Sequence, residues 1–357
     1  MTPNPAMDSD TYPAPLRAPV SARHCERSMA QLTARFRLAL VAGVLLAAAL
    51  QATGQPAGQP ARSVGLLVPN LLQAQNDYPV FVDALRQLGY REGQNLRLVP
   101  KEAAGRLERL PSLARELVDA RVELIVAFNT PGVRAAIDAT REIPIVMTNV
   151  GDPVGSGFVT NLARPGGNVT GVSNMIAVLA PKRMQVLRET IPSAKRIAVL
   201  FNPGDPITKP QIRDLETLVT AKAVDFRLFP VRKPDELPET FNQILAWRAH
   251  AAMWLLGQHQ LFQVMTVRLA AQHNIPVMVG NTGDVRAGGL ISYTNSFPEV
   301  YRRTAAQVDL ILKGKKPGDL PVEQATKFEL AFNLKTARAL GVTIPSTLLL
   351  RADYVVE

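Results

Sequence analysis

Eight short runs rich in β-branched and aliphatic residues, each separated from the next by room for a helix, restrict this chain more than any other feature. Four lie in the first half, at Ser63–Val68, Asn95–Pro100, Glu123–Phe128 and Pro144–Asn149. Four lie in the second, at Arg196–Phe201, Asp225–Pro230, Ala251–Leu255 and Pro276–Val279. Between the first two, YPVFVDALRQLGY sets Val80, Phe81, Ala84, Leu85 and Leu88 on one helical face, and Gly89 closes the helix. LPSLARELVDA does the same with Leu113, Leu117 and Val118, and Pro111 sits in a first turn, where its missing amide costs nothing. The second half carries helical patterns over Gln211–Ala223 and Gln260–His273. Strands alternating with helices at this spacing predict parallel sheets covered on both faces. The alternation pauses at LARPGGNVTGVSNM and then resumes, so two α/β lobes of similar size are expected. Pro298–Leu312 and KFELAFNLKTARAL add elements whose lobe the periodicity alone does not assign.

The first sixty residues differ. ARFRLALVAGVLLAAALQATGQPAGQPA offers Arg35 and Arg37, an apolar run from Leu38 to Leu50, and then small and polar residues, the three-part pattern of a secretory signal. Thirteen residues rise about 20 Å as a helix, short of a hydrocarbon core of about 30 Å. A signal peptide within residues 1–54 is therefore expected, cleaved after Ala52-Thr53-Gly54, with Met29 as the start that gives it ordinary length. The single cysteine, Cys25, precedes the apolar run, so it is not the lipidated residue of a lipoprotein, and the exported chain would hold no disulfide, thiolate metal site or thiol nucleophile. The formal charge of +10 comes from Lys and Arg spread along the chain, without the basic run or interleaved aromatics of a nucleic-acid binder.

In an open parallel sheet, ligands bind beyond the carboxyl ends of the strands. The loops there supply the candidate ligand-binding residues. In the first lobe these are Asn70, then Asn129, Thr130 and Pro131, then Gly151 and Asp152. Thr130 reads either as the cap of its own helix or as one wall of an anion site at a helix N-terminus. Asp152, before Pro153, reads as a turn residue or as the partner of a ligand ammonium group. In the second lobe the candidates are Asn202 of FNPGDP, Gln258 of LLGQHQ, and Asn281 and Thr282 of MVGNTGDV, each also readable as a cap or turn residue; Tyr293 stands near a return between lobes.

Catalytic patterns are poorer. GVSNM around Ser173 lacks the closing glycine of a nucleophile elbow. His250, His259 and His273 have no zinc-ligand spacing, and no carboxylate pair stands out as acid and base. GDPVGSG is neither a dinucleotide fingerprint nor a Walker loop. No enzyme activity, cofactor or metal is expected.

Longer stretches carry a family likeness. GYREGQNLRL, IPIVMTNVGDPVGSGFVTNLARPGGNVTGVS, AKRIAVLFNP, AGGLISY and LILKGKKPGDLPVEQATKFELAFNLKTARALGVTIPSTLLLRADYVVE together resemble the ABC-transporter substrate-binding family that includes tryptophan-type binding proteins. The resemblance implies a type I periplasmic-binding-protein fold, two Rossmann-like lobes joined by three hinge strands around a ligand cleft. On that reading, residues 62–174 with about 294–322 form lobe 1, and 175–293 with about 323–357 form lobe 2. It further implies a periplasmic protein that hands a small polar solute, such as an amino acid, to an inner-membrane ABC permease, and a monomer is expected. A sensory module for a membrane receptor is the alternative, and an α/β enzyme a more distant one. A DNA-binding repressor of this fold would need a helix-turn-helix, which residues 1–61 lack. LLGQHQLF stands where relatives more often carry a GADPFF-like loop, which implies different contacts in the second lobe.

Overall fold

A computed structural model of the protein describes residues 61–70, 78–220, 225–257 and 262–357. The expected signal, residues 1–54, and Gln258 lie outside the described residues. The strands are β1 (Arg62–Val68), β2 (Leu96–Glu102), β3 (Leu124–Phe128), β4 (Ile145–Val150), β5 (Val169–Ser173), β6 (Arg196–Phe201), β7 (Asp225–Pro230), β8 (Ala251–Trp254), β9 (Val277–Val279), β10 (Ile291–Asn295), β11 (Glu323–Gln324), β12 (Phe328–Asn333) and β13 (Tyr354–Val356). They form two sheets, ordered β11-β5-β4-β3-β1-β2 and β13-β12-β10-β9-β8-β6-β7. Among the described residues only β10 and β12 pair antiparallel; every other pairing is parallel.

Parallel strands must have both faces covered, and alternation along β1 shows how. Val64, Leu66 and Val68 point into one apolar cluster with Phe81 and Leu85, whereas Leu67 points into another with Leu113, Leu117 and Ile125. Gly65, on the second face, leaves room for Leu117, whose Cδ2 lies 2.9 Å from where a Cβ would stand. The second sheet is likewise sandwiched, between a cluster containing Met184, Leu187 and Val199 and one containing Phe241, Trp254 and Val277. Leu88, expected on the apolar face of the first helix, falls past its end at Gln87 and is 40% exposed.

The pause in the alternation contains a strand. β5 escapes periodicity because Gly171 has φ +135° and lies so close to β4 that an added Cβ would stand 2.1 Å from the Met147 carbonyl oxygen; the register shifts there between Met147 and Val150. A side chain is excluded where the pattern would need one.

Three segments cross between the sheets: residues 174–179 from β5 to the helix Ala180–Thr190, Ser296 from β10 to the helix Phe297–Leu312, and residues 325–327 from β11 to β12. The helix Phe297–Leu312 packs on the first sheet and on Tyr78–Gln87, and β12 and β13 extend the second sheet. Within each sheet, the first five strands follow the order 2-1-3-4-5, which places a topological switch point between the first and third strands of each lobe.

Candidate functional site

At both switch points the strand tips open into one cleft of about 1430 Å³, walled by loops of both lobes. In lobe 1, Asn70 follows β1, held by Gly105, whose amide donates to the Pro69 carbonyl at 2.8 Å. After β3 come Asn129, Thr130 and Pro131, all lining the cleft. The helix begins at Asn129 itself and has Phe128 at its cap position with no side-chain capping bond, so Thr130 is not the cap. Asn129, and Asn149 at the neighbouring tip of β4, both adopt φ +59°, a left-handed conformation that asparagine tolerates better than most residues. Gly132 lets the helix approach β1: an added Cβ would stand 3.3 Å from the Leu67 carbonyl oxygen.

Gly151 and Asp152 also line the cleft. The Asp152 carboxylate accepts the Gly155 amide at 2.7 Å, and the Ser156 amide donates to the Asp152 carbonyl at 3.0 Å, so the turn role is filled while the residue still faces the cleft. Arg134 ties this turn to the preceding helix by donating to the Ser156 carbonyl and lying 4.8 Å over the Phe158 ring.

In lobe 2, Asn281 and Thr282 line the cleft. Asn281 caps the helix Thr282–Arg286 in a reciprocal box with Asp284, each side chain accepting the other's amide at 3.1 Å. Asn202 and Tyr293 are not among the cleft-lining residues. Asn202 Oδ1 accepts the Gly204 amide at 2.9 Å inside its own turn, and the Tyr293 ring stacks on Phe328 at 5.9 Å. Their neighbours reach the cleft instead: Asp205 and Ile207 beyond Asn202, and Thr294 beyond Tyr293, where strand alternation reverses the direction of the side chain.

Asp205 had a signal in the sequence. Gly204-Asp205-Pro206 repeats Gly151-Asp152-Pro153, and both aspartates line the cleft from opposite lobes. Asp205 is only 6% exposed and its carboxylate accepts the Ile207 amide at 3.2 Å. The aromatic floor was less legible. Phe128, Phe297 and Tyr301 line the lobe-1 side, with Phe128 and Tyr301 ring centroids 6.0 Å apart and Tyr301 Oη accepting from Asn149 Nδ2 at 3.1 Å. Phe297 and Tyr301 stand four apart on a helix that reaches the cleft only because the chain returns to lobe 1. Opposite, Arg286 lies 4.6 Å over the Tyr354 ring and donates to its hydroxyl at 2.9 Å.

The cleft presents charges of both signs, Arg134, Lys209 and Arg286 against Asp152, Asp205 and Glu329. Beneath the lobe-2 loops, burial pushes the Asp284 carboxyl up to about 7, against the pull of the Asn281 and Gly280 amides and of Arg183; burial also brings the Arg183 guanidinium down to about 9. Among the described residues no group of three or more His, Cys, Asp or Glu is placed to hold a metal ion, and no helix is long and apolar enough to cross a membrane.

Twin Rossmann-like lobes with three crossings and a cleft at the strand tips define a type I periplasmic-binding-protein fold. The family model described as ABC transporter substrate binding protein matches residues 74–356, and the chain belongs to that family. The tyrosine-binding protein of Clostridioides difficile (strain R20291) is 29% identical over 273 residues, 73% of this chain and 75% of that protein. Among solved structures, a conserved domain protein from Vibrio cholerae matches with TM-score 0.75 and 28% identity, over 83% of this chain and 100% of that one. The ABC domain in complex with L-Trp from Streptococcus pneumonia matches with TM-score 0.76 at 24% identity over the same shares, a likeness of fold. The ligand-free, open structure of a substrate binding protein with adhesive properties from Clostridium difficile matches with TM-score 0.67 and 25% identity, over 83% and 99%.

Proposed function

We propose that this protein is the periplasmic solute-binding component of an ABC importer, that it holds an amino acid with an aromatic side chain between its lobes, and that it delivers this solute to a membrane permease. The observation that carries the reading is the pairing, in one interlobe cleft, of two opposed Gly-Asp-Pro loops with an aromatic floor of Phe128, Phe297 and Tyr301. A zwitterion needs an anionic partner for its ammonium group, here Asp152 and Asp205, and amide or hydroxyl donors for its carboxylate, here the Thr130 turn at a helix N-terminus. An aromatic side chain gains about 0.5–1.5 kcal/mol from ring contacts beyond the area it buries. The likeness to a tyrosine-binding protein supports this choice over other solutes.

Function follows from closure. The cleft exceeds the roughly 300–1,000 Å³ of pockets that enclose small ligands, so the lobes must approach for one amino acid to touch both. A ligand that bridges them stabilises the closed form over the open one. Carrying the closed state from 1:99 to 99:1 needs about 5.5 kcal/mol of preference, within reach of a few charge-assisted hydrogen bonds of about 1.5–3 kcal/mol each.

Titration calorimetry with L-tryptophan, L-tyrosine, L-phenylalanine and aliphatic amino acids tests the reading. Aromatic amino acids should bind, and Asp205→Asn, Asp152→Ala and Thr130→Ala should each weaken binding by more than they lower the melting temperature of the free protein. Absence of binding by all amino acids, or equal loss of fold and affinity in the variants, overturns it.

A further inference from the structure

The loops lining lobe 2 begin at the tips of neighbouring strands, β8, β9 and β10, and parallel strand tips carry carbonyl groups that the ladder no longer pairs. One side chain takes two of them, at the last residues of β8 and β9, and a third carbonyl within β10. Arg183, wholly buried on the helix Ala180–Thr190, donates through Nη2 to the carbonyls of Trp254 at 3.2 Å and Val279 at 3.0 Å, and through Nη1 to that of Tyr293 at 3.3 Å. We propose that Arg183 is the positioning residue of the ligand site: its guanidinium sets the lobe-2 half of the cleft and couples it to the hinge.

Each bond precedes a functional segment. Trp254 leads within three residues to the cleft residues Leu256 and Gly257, and Val279 leads to Gly280, Asn281 and Thr282. Tyr293 leads to Thr294 in the cleft and then to Ser296, the second crossing between lobes. The helix that carries Arg183 is itself the first element after the first crossing. Two cleft loops and two of the three hinge crossings therefore converge on one rigid fork. Asp284, whose carboxylate accepts the Asn281 amide, exerts an opposite charge on the same buried region.

A buried cation is costly in an apolar interior unless it is fully used. A core filler such as leucine would pack there without that cost, and Arg183 keeps its Nε–H without a partner, so packing alone does not account for it. A planar guanidinium reaches three separated acceptors at once, whereas a lysine ammonium is a point donor on a flexible stem. Replacement by lysine therefore keeps the charge and breaks the geometry.

Hydrogen exchange on the ligand-free Arg183→Lys and Arg183→Met variants tests the positioning without any ligand. Faster exchange is expected at residues 256–257 and 280–283, with residues 130–132 and 151–156 of lobe 1 unchanged. The coupling to function rests on the amino-acid reading above, and in that arm both variants should bind L-tryptophan or L-tyrosine about tenfold or more weakly, with lysine the milder of the two. If Arg183→Met does not fold, Arg183→Lys decides. Unchanged exchange at the lobe-2 loops, or acceleration spread evenly through the β6–β9 core, overturns the proposal, as does local loosening with wild-type affinity. If the wild-type protein binds neither amino acid, the ligand reading fails while the exchange result still decides the role of Arg183.

Discussion

At the scale of single residues, the most telling position carries no side chain. A Cβ at Gly151 would stand 2.7 Å from Ile176 Cγ1, on the first crossing, and 2.8 Å from Ile207 Cδ1, on lobe 2. Gly151 is thus where lobe 2 comes to rest on lobe 1. Gly151→Val should wedge the lobes, and overpacking of this kind costs about 1–3 kcal/mol. Calorimetry should show roughly tenfold or greater loss of affinity, with partial recovery when Ile207→Ala is added, because contacting residues are coupled. Equal effects of Gly151→Val with and without Ile207→Ala would show that the two residues do not meet in the binding form. The sequence marked Gly151 as a cleft residue by its place after a strand, but nothing local reveals Ile207, since the two meet only across the crossing. Asn202 illustrates the converse: a polar residue at a strand tip satisfied itself within its own turn, and Asp205, three residues on, took the position facing the cleft.

At the scale of elements, the crossings are tied as well as the loops. Arg303, on the helix after the second crossing, donates to Glu299, to Glu323 of β11 and to Thr326 of the third crossing, each at 2.9 Å. Glu299 in turn accepts the Lys327 amide and the Thr326 hydroxyl, both at 2.9 Å. Burial pushes the Glu299 carboxyl up, but these donors and the Arg303 charge outweigh it and hold the group below its ordinary value of 4.5. A carboxylate held low stabilises the fold at neutral pH, and that stabilisation is lost as pH falls below about 4.5 through the lower folded value. Glu299→Ala should lower stability by about 1.5–3 kcal/mol in urea denaturation at pH 7, and the difference from wild type should shrink at pH 3 to 4. A gap that is constant with pH would assign Glu299 to packing alone. The helix patterns were legible because each buries one face against its own sheet. The strand β5 was not, because Gly171 removes the side chain on which periodicity depends.

At the scale of the whole molecule, three crossings join the two halves, and under the proposed function a ligand is the term that draws them together. Small-angle scattering should show a smaller radius of gyration with a saturating aromatic amino acid, and thermal unfolding should report added stability of about 2.7 kcal/mol at a hundredfold excess over Kd. Stabilisation without compaction would place the ligand on one lobe only. The doubled β/α alternation, read from the sequence alone, determined that there would be two α/β lobes with parallel sheets and pointed to the strand-end loops as the candidate site, because hydrophobic period and turn chemistry are local properties. Which lobe receives the helix Phe297–Leu312, how its Phe297 and Tyr301 come to floor the cleft, and how Arg183 reaches three strands at once were decided only by tertiary structure. Those contacts join residues far apart in the chain, and their energies come from burial and geometry that no stretch of sequence contains.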